Sequence, residues 1–215
     1  MSAASRAPLR STHRIHSRDR IRSRRAALTT AGAAVAALLV SACSSGGTSG
    51  GGGDTNFVMG EDGISTVKQG ERAAAPDLSG ETIDGKQLDV ASYKGKVVVV
   101  NVWGSWCAPC RAEAPGFQKV YQDLKAKGVQ FVGINTRDTK PANALAFDKE
   151  YGVTYPSLYD PTGKLMLRFE KGTLNPQAIP STLVLDRDGK IAARSLAALS
   201  EEKLRGMLDP VLAEK

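Results

Sequence analysis

A seven-residue apolar run, Val97-Val98-Val99-Val100-Asn101-Val102-Trp103, leads through Gly104 and Ser105 into Trp106-Cys107-Ala108-Pro109-Cys110. The run is β-branched and apolar at nearly every position, the pattern of a strand covered on both faces. Two thiols separated by two residues, at the end of such a strand and the start of a helix, exchange between dithiol and disulfide at low geometric cost. Disulfide exchange is therefore the leading chemistry. Metal binding by two thiolates is the other use of the same spacing.

A net charge of +7 raises the question of a nucleic-acid or anionic-membrane partner. Residues 1–25 alone hold eight arginines against one acid, Asp19, which accounts for the whole excess; the other residues balance at 21 basic and 21 acidic side chains. No nucleic-acid partner is expected. The basic stretch is followed by Ala26 to Val40, 15 mostly apolar residues, too short to span a bilayer core of about 30 Å comfortably. It reads as an export signal, by the twin-arginine or the general secretory route. Val40-Ser41-Ala42-Cys43 resembles a bacterial lipobox, so Cys43 is the expected lipidation site and new N-terminus. The chain holds three cysteines, and this use of Cys43 explains why one stands outside the Cys107–Cys110 pair.

The expected organisation is a cleaved signal peptide over 1–42, a lipidated cysteine with a Gly/Ser-rich tether over 43–70, and one domain over 71–215. Ser44 to Gly53 is nearly all Gly, Ser and Thr, which buries no core and behaves as a flexible tether. Asn56 to about Gln69 shows little pattern and reads as an irregular approach. Asp84-Gly85 between two short extended pieces suggests a small N-terminal hairpin. After the cysteines, Phe117, Val120, Tyr121 and Leu124 recur at helical spacing, with Gly128 as the stop. Val129 to Ile134 forms the next strand and completes a right-handed βαβ unit. A second helix is expected from Pro141 to about Tyr151, with Thr139 as its cap. Ser181 to Asp186 and Lys190 to Ser195 flank an Asp188-Gly189 turn, and Leu204, Met207, Leu208 and Val211 mark a closing helix behind Glu201 and Glu202. The predicted order is βαβα, then ββα.

Trp106-Cys107-Ala108-Pro109-Cys110, the Lys94-Gly95-Lys96 lead-in, Pro115, and Ile179-Pro180-Ser181-Thr182 together resemble the thioredoxin-like family. Within it the resemblance is to the membrane-tethered TlpA and ResA-like thiol-disulfide oxidoreductases. It covers about Ala75 to Lys215 and implies an α/β thioredoxin-like fold, a central mixed sheet flanked by helices with an extra N-terminal β-hairpin. It also implies that Cys107 attacks and Cys110 resolves, with Ala108 and Pro109 between them setting the redox poise; 30 mV corresponds to about 1.4 kcal/mol for such a couple. Pro180 is the implied cis-proline, with the Ile179 backbone free to pair with an extended substrate. Pro115 would kink the active-site helix. Asn101 stands where cytoplasmic thioredoxins carry a buried proton-relaying aspartate. Glu113 stands where ResA-like proteins carry a glutamate near the site, although spacing alone reads it as a solvated helix residue. Trp103 reads as a core aromatic, and Trp106 as a shield and contact surface beside the cysteines.

The resemblance further implies a monomeric reductant with no cofactor beyond the Cys107–Cys110 disulfide and no resident metal, held by lipid on the outer face of the cytoplasmic membrane. Its partners would be thiols and disulfides of exported proteins, apocytochrome c among them, and a membrane electron donor of the CcdA or DsbD type. The segment Thr173 to Ala178 looks longer than usual for the family, and partner choice would be written there. Three rivals fit less well. A peroxiredoxin needs threonine three residues before its cysteine, where this chain has Gly104. A Cu(I) metallochaperone using the same two thiolates is the alternative function, but histidine occurs only as His13 and His16, in the leader. A zinc knuckle lacks a second ligand pair, and the domain has no histidine for Ser-His or Cys-His catalysis.

Overall fold

The computed structural model describes residues 55–214. The leader, Cys43 and the Ser44–Gly53 tether lie outside the described residues. Nine strands and three α-helices follow in chain order: β1 (Val58–Met59), β2 (Ser65–Thr66), β3 (Ser79–Glu81), β4 (Gln87–Asp89), β5 (Val97–Trp103), α1 (Ala108–Leu124), β6 (Val129–Thr136), α2 (Pro141–Tyr151), β7 (Ser157–Asp160), β8 (Ser181–Leu185), β9 (Ile191–Ser195) and α3 (Glu201–Ala213). Seven strands form one mixed sheet in the order β1-β2-β9-β8-β5-β6-β7, and β3 and β4 pair separately as the expected hairpin.

β5 lies near the centre, parallel to β6 and antiparallel to β8. All seven of its residues are buried, and its alternating side chains serve two cores. Val97 and Val99 pack with Phe117 and Val120 of α1 and with Leu204 and Leu208 of α3. Trp103, on the same face, stacks on Phe147 of α2 at 4.3 Å. Val98, Val100 and Val102 pack with Leu165, Met166, Phe169 and Leu174 of the β7–β8 connection and with Leu78 and Val90. The thioredoxin-like architecture read from the sequence is the one observed.

Because β5 and β6 are parallel and β8 is antiparallel to β5, the ends of β5 and β6 and the start of β8 meet at one edge. That edge carries the cysteines, the connection after β6, and Pro180. α1 ends at Leu124 in a short 3-10 turn, and Gly128 takes a left-handed φ of 85° as the expected stop. α2 spans the expected residues, but Thr139 is not its cap: Lys140 occupies that position with no side-chain cap bond. Pro141 makes a polar cap less necessary, because it has no N–H to satisfy.

Two further differences from the sequence expectation concern strands. β7 was absent from the predicted order; it is four residues long behind Pro156 and takes its place from pairing with β6. The segment 56–69, expected to be irregular, supplies β1 and β2, and β2 pairs with β9 through Ser65 opposite Arg194 and Thr66 opposite Ala193. Strands of two residues show no alternation to read; burial of Ile64 and Val67 holds them to the sheet. Packed chain therefore begins before residue 71. Arg72 then bridges Asp186 at 2.9 Å and Glu214 at 2.5 Å, closing this end against the C-terminus.

Phe131 of β6 is fully buried and meets Phe117, Tyr121 and Tyr155 with ring centroids 5.4–6.3 Å apart. Phe131→Ala is expected to cost about 3–5 kcal/mol, read as a lower urea midpoint of the oxidised protein. A loss below about 1 kcal/mol would mean that the cluster collapses around the gap.

Candidate active site

Cys107 is the N-cap of α1, and its sulfur accepts the backbone N–H of Cys110 at 3.2 Å. A capping side chain takes the N–H of the second or third helical residue. Here the second is Pro109, which has none, so the contact falls on Cys110. Cys107 and Cys110 form a disulfide with S–S 2.09 Å and Cα–Cα 5.3 Å. Ala108 and Pro109 between them are exposed. At residue level both cysteines are buried, Cys107 at 4% exposure and Cys110 at 1%. When reduced, the same N–H and the helix N-terminus favour a thiolate at Cys107.

The Ile179–Pro180 bond is cis. The Ile179 carbonyl oxygen lies 3.9 Å from the Cys107 sulfur, so the start of β8 stands directly beside the cysteines. Trp106 is 46% exposed at the rim. Trp103 is buried, and its indole N–H donates to Ser157 Oγ at 3.2 Å. Gly104 is where a peroxiredoxin would carry threonine; a Cβ there would lie 2.7 Å from Trp106 Nε1 and 3.0 Å from the Thr136 carbonyl. The Trp106 indole fills the space that such a side chain needs.

Glu113 stands one turn after Cys110 on the same face of α1. It is 5% exposed, so the solvated reading that spacing favours does not hold. Its Oε1 accepts Asn101 Nδ2 at 3.0 Å and its Oε2 accepts the backbone N–H of Leu199 at 3.0 Å. Burial pushes its pKa up to about 7 against the pull of these two hydrogen bonds. Asn101 also reaches Thr182 Oγ1 at 3.3 Å. One amide thereby joins β5, α1 and β8 under the cysteines.

Sequence reasoning missed a second polar cluster. Asp138, 2% exposed, accepts the Ser105 N–H at 2.9 Å, the Ser105 hydroxyl at 2.5 Å and Asn135 Nδ2 at 2.7 Å. It fixes the loop that presents Trp106 and Cys107. The only sequence signal was its place just beyond β6, at the strand end where the site lies. Arg137 and Arg111 were also missed: the Arg137 guanidinium lies 5.3 Å from the Trp106 ring centre, and Arg111 Nη2 donates to the Trp106 carbonyl at 3.2 Å.

Residues 72–194 match the AhpC/TSA family. The thiol-disulfide oxidoreductase ResA of a Bacillus cereus strain is 30% identical over 137 residues, covering 64% of this chain and 76% of that protein. Among solved structures, a DsbF homologue from Corynebacterium diphtheriae is 36% identical with a TM-score of 0.65, covering 74% of this chain and 99% of that one. A secreted thiol-disulfide isomerase from Corynebacterium glutamicum is 31% identical with a TM-score of 0.67, covering 75% of this chain and 100% of that one.

Since the Glu113 pKa rises on folding from 4.5 to about 7, the native state binds the extra proton between those values. Stability is therefore lost as pH rises through that window, by roughly 3 kcal/mol for this group, with no further change above it. Glu113→Gln is expected to remove this slope in urea denaturation of the oxidised protein at pH 5 and pH 8. Asp148, also pushed up to about 7 by burial, titrates in both proteins and cancels in the comparison. Parallel profiles would show that Glu113 ionises normally.

Proposed function

Given that the chain belongs to the AhpC/TSA family of thioredoxin-like proteins and is a thiol-disulfide oxidoreductase, we propose that it reduces disulfides in exported proteins, the haem-attachment cysteines of apocytochrome c among them. The observation that carries this reading is the cysteine pair at the start of α1 beside the Ile179 carbonyl, with Glu113 buried one turn below.

The Cys107 thiolate attacks one sulfur of the substrate disulfide. A Cys107–substrate bond forms, and the other substrate sulfur leaves as a thiolate that takes a proton. Cys110 then gives its proton to Glu113 and attacks the Cys107 sulfur. The Cys107–Cys110 disulfide closes, and the substrate departs as a dithiol carrying two electrons. A carboxyl titrating near neutrality suits both taking up and returning that proton. Trp106 and Ile179 border the approach, and Pro109 and Pro180 shape the two backbone segments that face the sulfur.

A reductant outside the membrane needs electrons, and a membrane thiol carrier of the CcdA or DsbD type is the donor in this reading. The basic and apolar leader, with Val40-Ser41-Ala42-Cys43, supports export and lipid attachment at Cys43 on the outer face of the membrane. The secreted character of the Corynebacterium glutamicum isomerase agrees with export.

Titration of the full-length protein against dithiothreitol buffers is expected to give one reversible two-electron transition below about −200 mV. Cys107→Ser abolishes exchange, and Cys110→Ser accumulates a mixed disulfide with substrate. A potential near about −120 mV would reverse the assigned direction and make the protein an oxidant.

A further inference from the structure

Two arginines flank the exposed tryptophan beside the cysteines, and the exchange chemistry uses neither. Arg137 follows β6 with φ at 60°, a left-handed conformation uncommon for a residue with a Cβ and concentrated where function over-determines the backbone. Its guanidinium stacks over Trp106, and its Nη2 donates to the Pro176 carbonyl at 2.7 Å. It thus joins the loop before Cys107 to the connection before Pro180. Arg111, exposed in the first turn of α1, donates to the Trp106 carbonyl.

A guanidinium presents five N–H donors in a planar fork that matches a carboxylate. Among the described residues, Arg72, Arg168 and Arg205 each have a carboxylate partner, whereas Arg111 and Arg137 have none. Glu170, exposed, adjoins Lys171, but no carboxylate of the described residues lies within ion-pair distance of Arg111 or Arg137. Segments 104–111 and 171–179 contain no acidic residue, and the one acid in 137–140, Asp138, is buried against Ser105 and Asn135. The exposed charges of these three segments are Arg111, Arg137, Lys140 and Lys171, all basic. This concentration stands out in a chain whose residues beyond the leader balance in charge.

We propose that Arg111 and Arg137 form a carboxylate-reading clamp beside Trp106, selecting protein substrates that carry acidic side chains next to the reacting cysteine. The inference rests on Cys107 being the attacking thiol. The Trp106 ring takes the apolar part of the approaching segment, the two forks take its carboxylates, and the basic rim raises the encounter rate with acidic partners at low salt.

The test uses reduced full-length protein and three otherwise identical peptides, each with one internal disulfide flanked by two Glu, two Gln or two Lys. Bis(2-hydroxyethyl) disulfide serves as a neutral reference. The Glu peptide is expected to react faster than the Lys peptide by on the order of tenfold at low ionic strength, with the ratio shrinking in high salt. Arg111→Gln with Arg137→Gln brings the ratio towards one. Arg137→Lys retains part of the preference through its charge, whereas a merely structural role at the Pro176 contact would slow the neutral reference along with all three peptides. Equal rates for the three peptides, or a ratio unchanged in the double variant, with the neutral reaction intact, would overturn the clamp alone. A neutral disulfide that fails to react, or reacts as well with Cys107→Ser, would instead overturn the role of Cys107 and the clamp with it.

Discussion

Burial of β5 on both faces is the constraint from which the site is built. Each of its large apolar side chains contributes about 1.5–3 kcal/mol on leaving water, which secures the strand between two cores. The same burial makes its one polar residue costly unless satisfied. Asn101 meets that demand by giving one N–H to Glu113 and the other to Thr182. The strand that feeds the cysteine loop is thereby fastened to the helix that carries Cys110 and to the strand that follows Pro180.

The Glu113 carboxyl records a close contest. Hydrogen bonds to an ionised acceptor are worth about 1.5–3 kcal/mol each, and Glu113 accepts two. Removing a carboxylate from water costs several kcal/mol even after relaxation. No cation tips the balance: Glu113 forms no ion pair among the described residues. Desolvation prevails, and the group titrates near neutrality. An aspartate at position 101 would place a second carboxyl against the first and drive one of them further up. With asparagine there, Glu113 is the one ionisable group of the Asn101–Glu113–Thr182 cluster, on the helix rather than on the strand.

Those elements whose periodicity is local were legible in the sequence. β5, α1 and β6 follow from apolar pattern and from Gly128, and the cysteine pair follows from its spacing. β1, β2 and β7 were not legible, because two- and four-residue strands take their conformation from the neighbour they pair with. Glu113 illustrates the same limit at the site. Its flanking residue Ala112 is exposed, and the partner that buries it comes from the turn before α3, 86 positions away. Asp138 carries no motif at all; its importance appears only when Ser105 and Asn135 are brought to the same strand ends.

The near-complete burial of both cysteines shifts selectivity onto what surrounds them. Trp106 and the Ile179 backbone border Cys107, so in the proposed reaction a substrate sulfur passes them and the position of the 171–179 connection sets its access. Arg194 of β9, buried and without a carboxylate partner among the described residues, donates through Nη1 to the carbonyls of Gly172 and Thr173. Burial lowers its proton affinity, yet a guanidinium keeps its charge, and the Phe57 ring 3.9 Å away covers it. Arg137 holds the same connection further along, at Pro176. The connection is thus pinned at two points by cations from two different strand ends, one of them under Phe57. A wall held in this way is set before the substrate arrives, so discrimination falls to the side chains it leaves exposed.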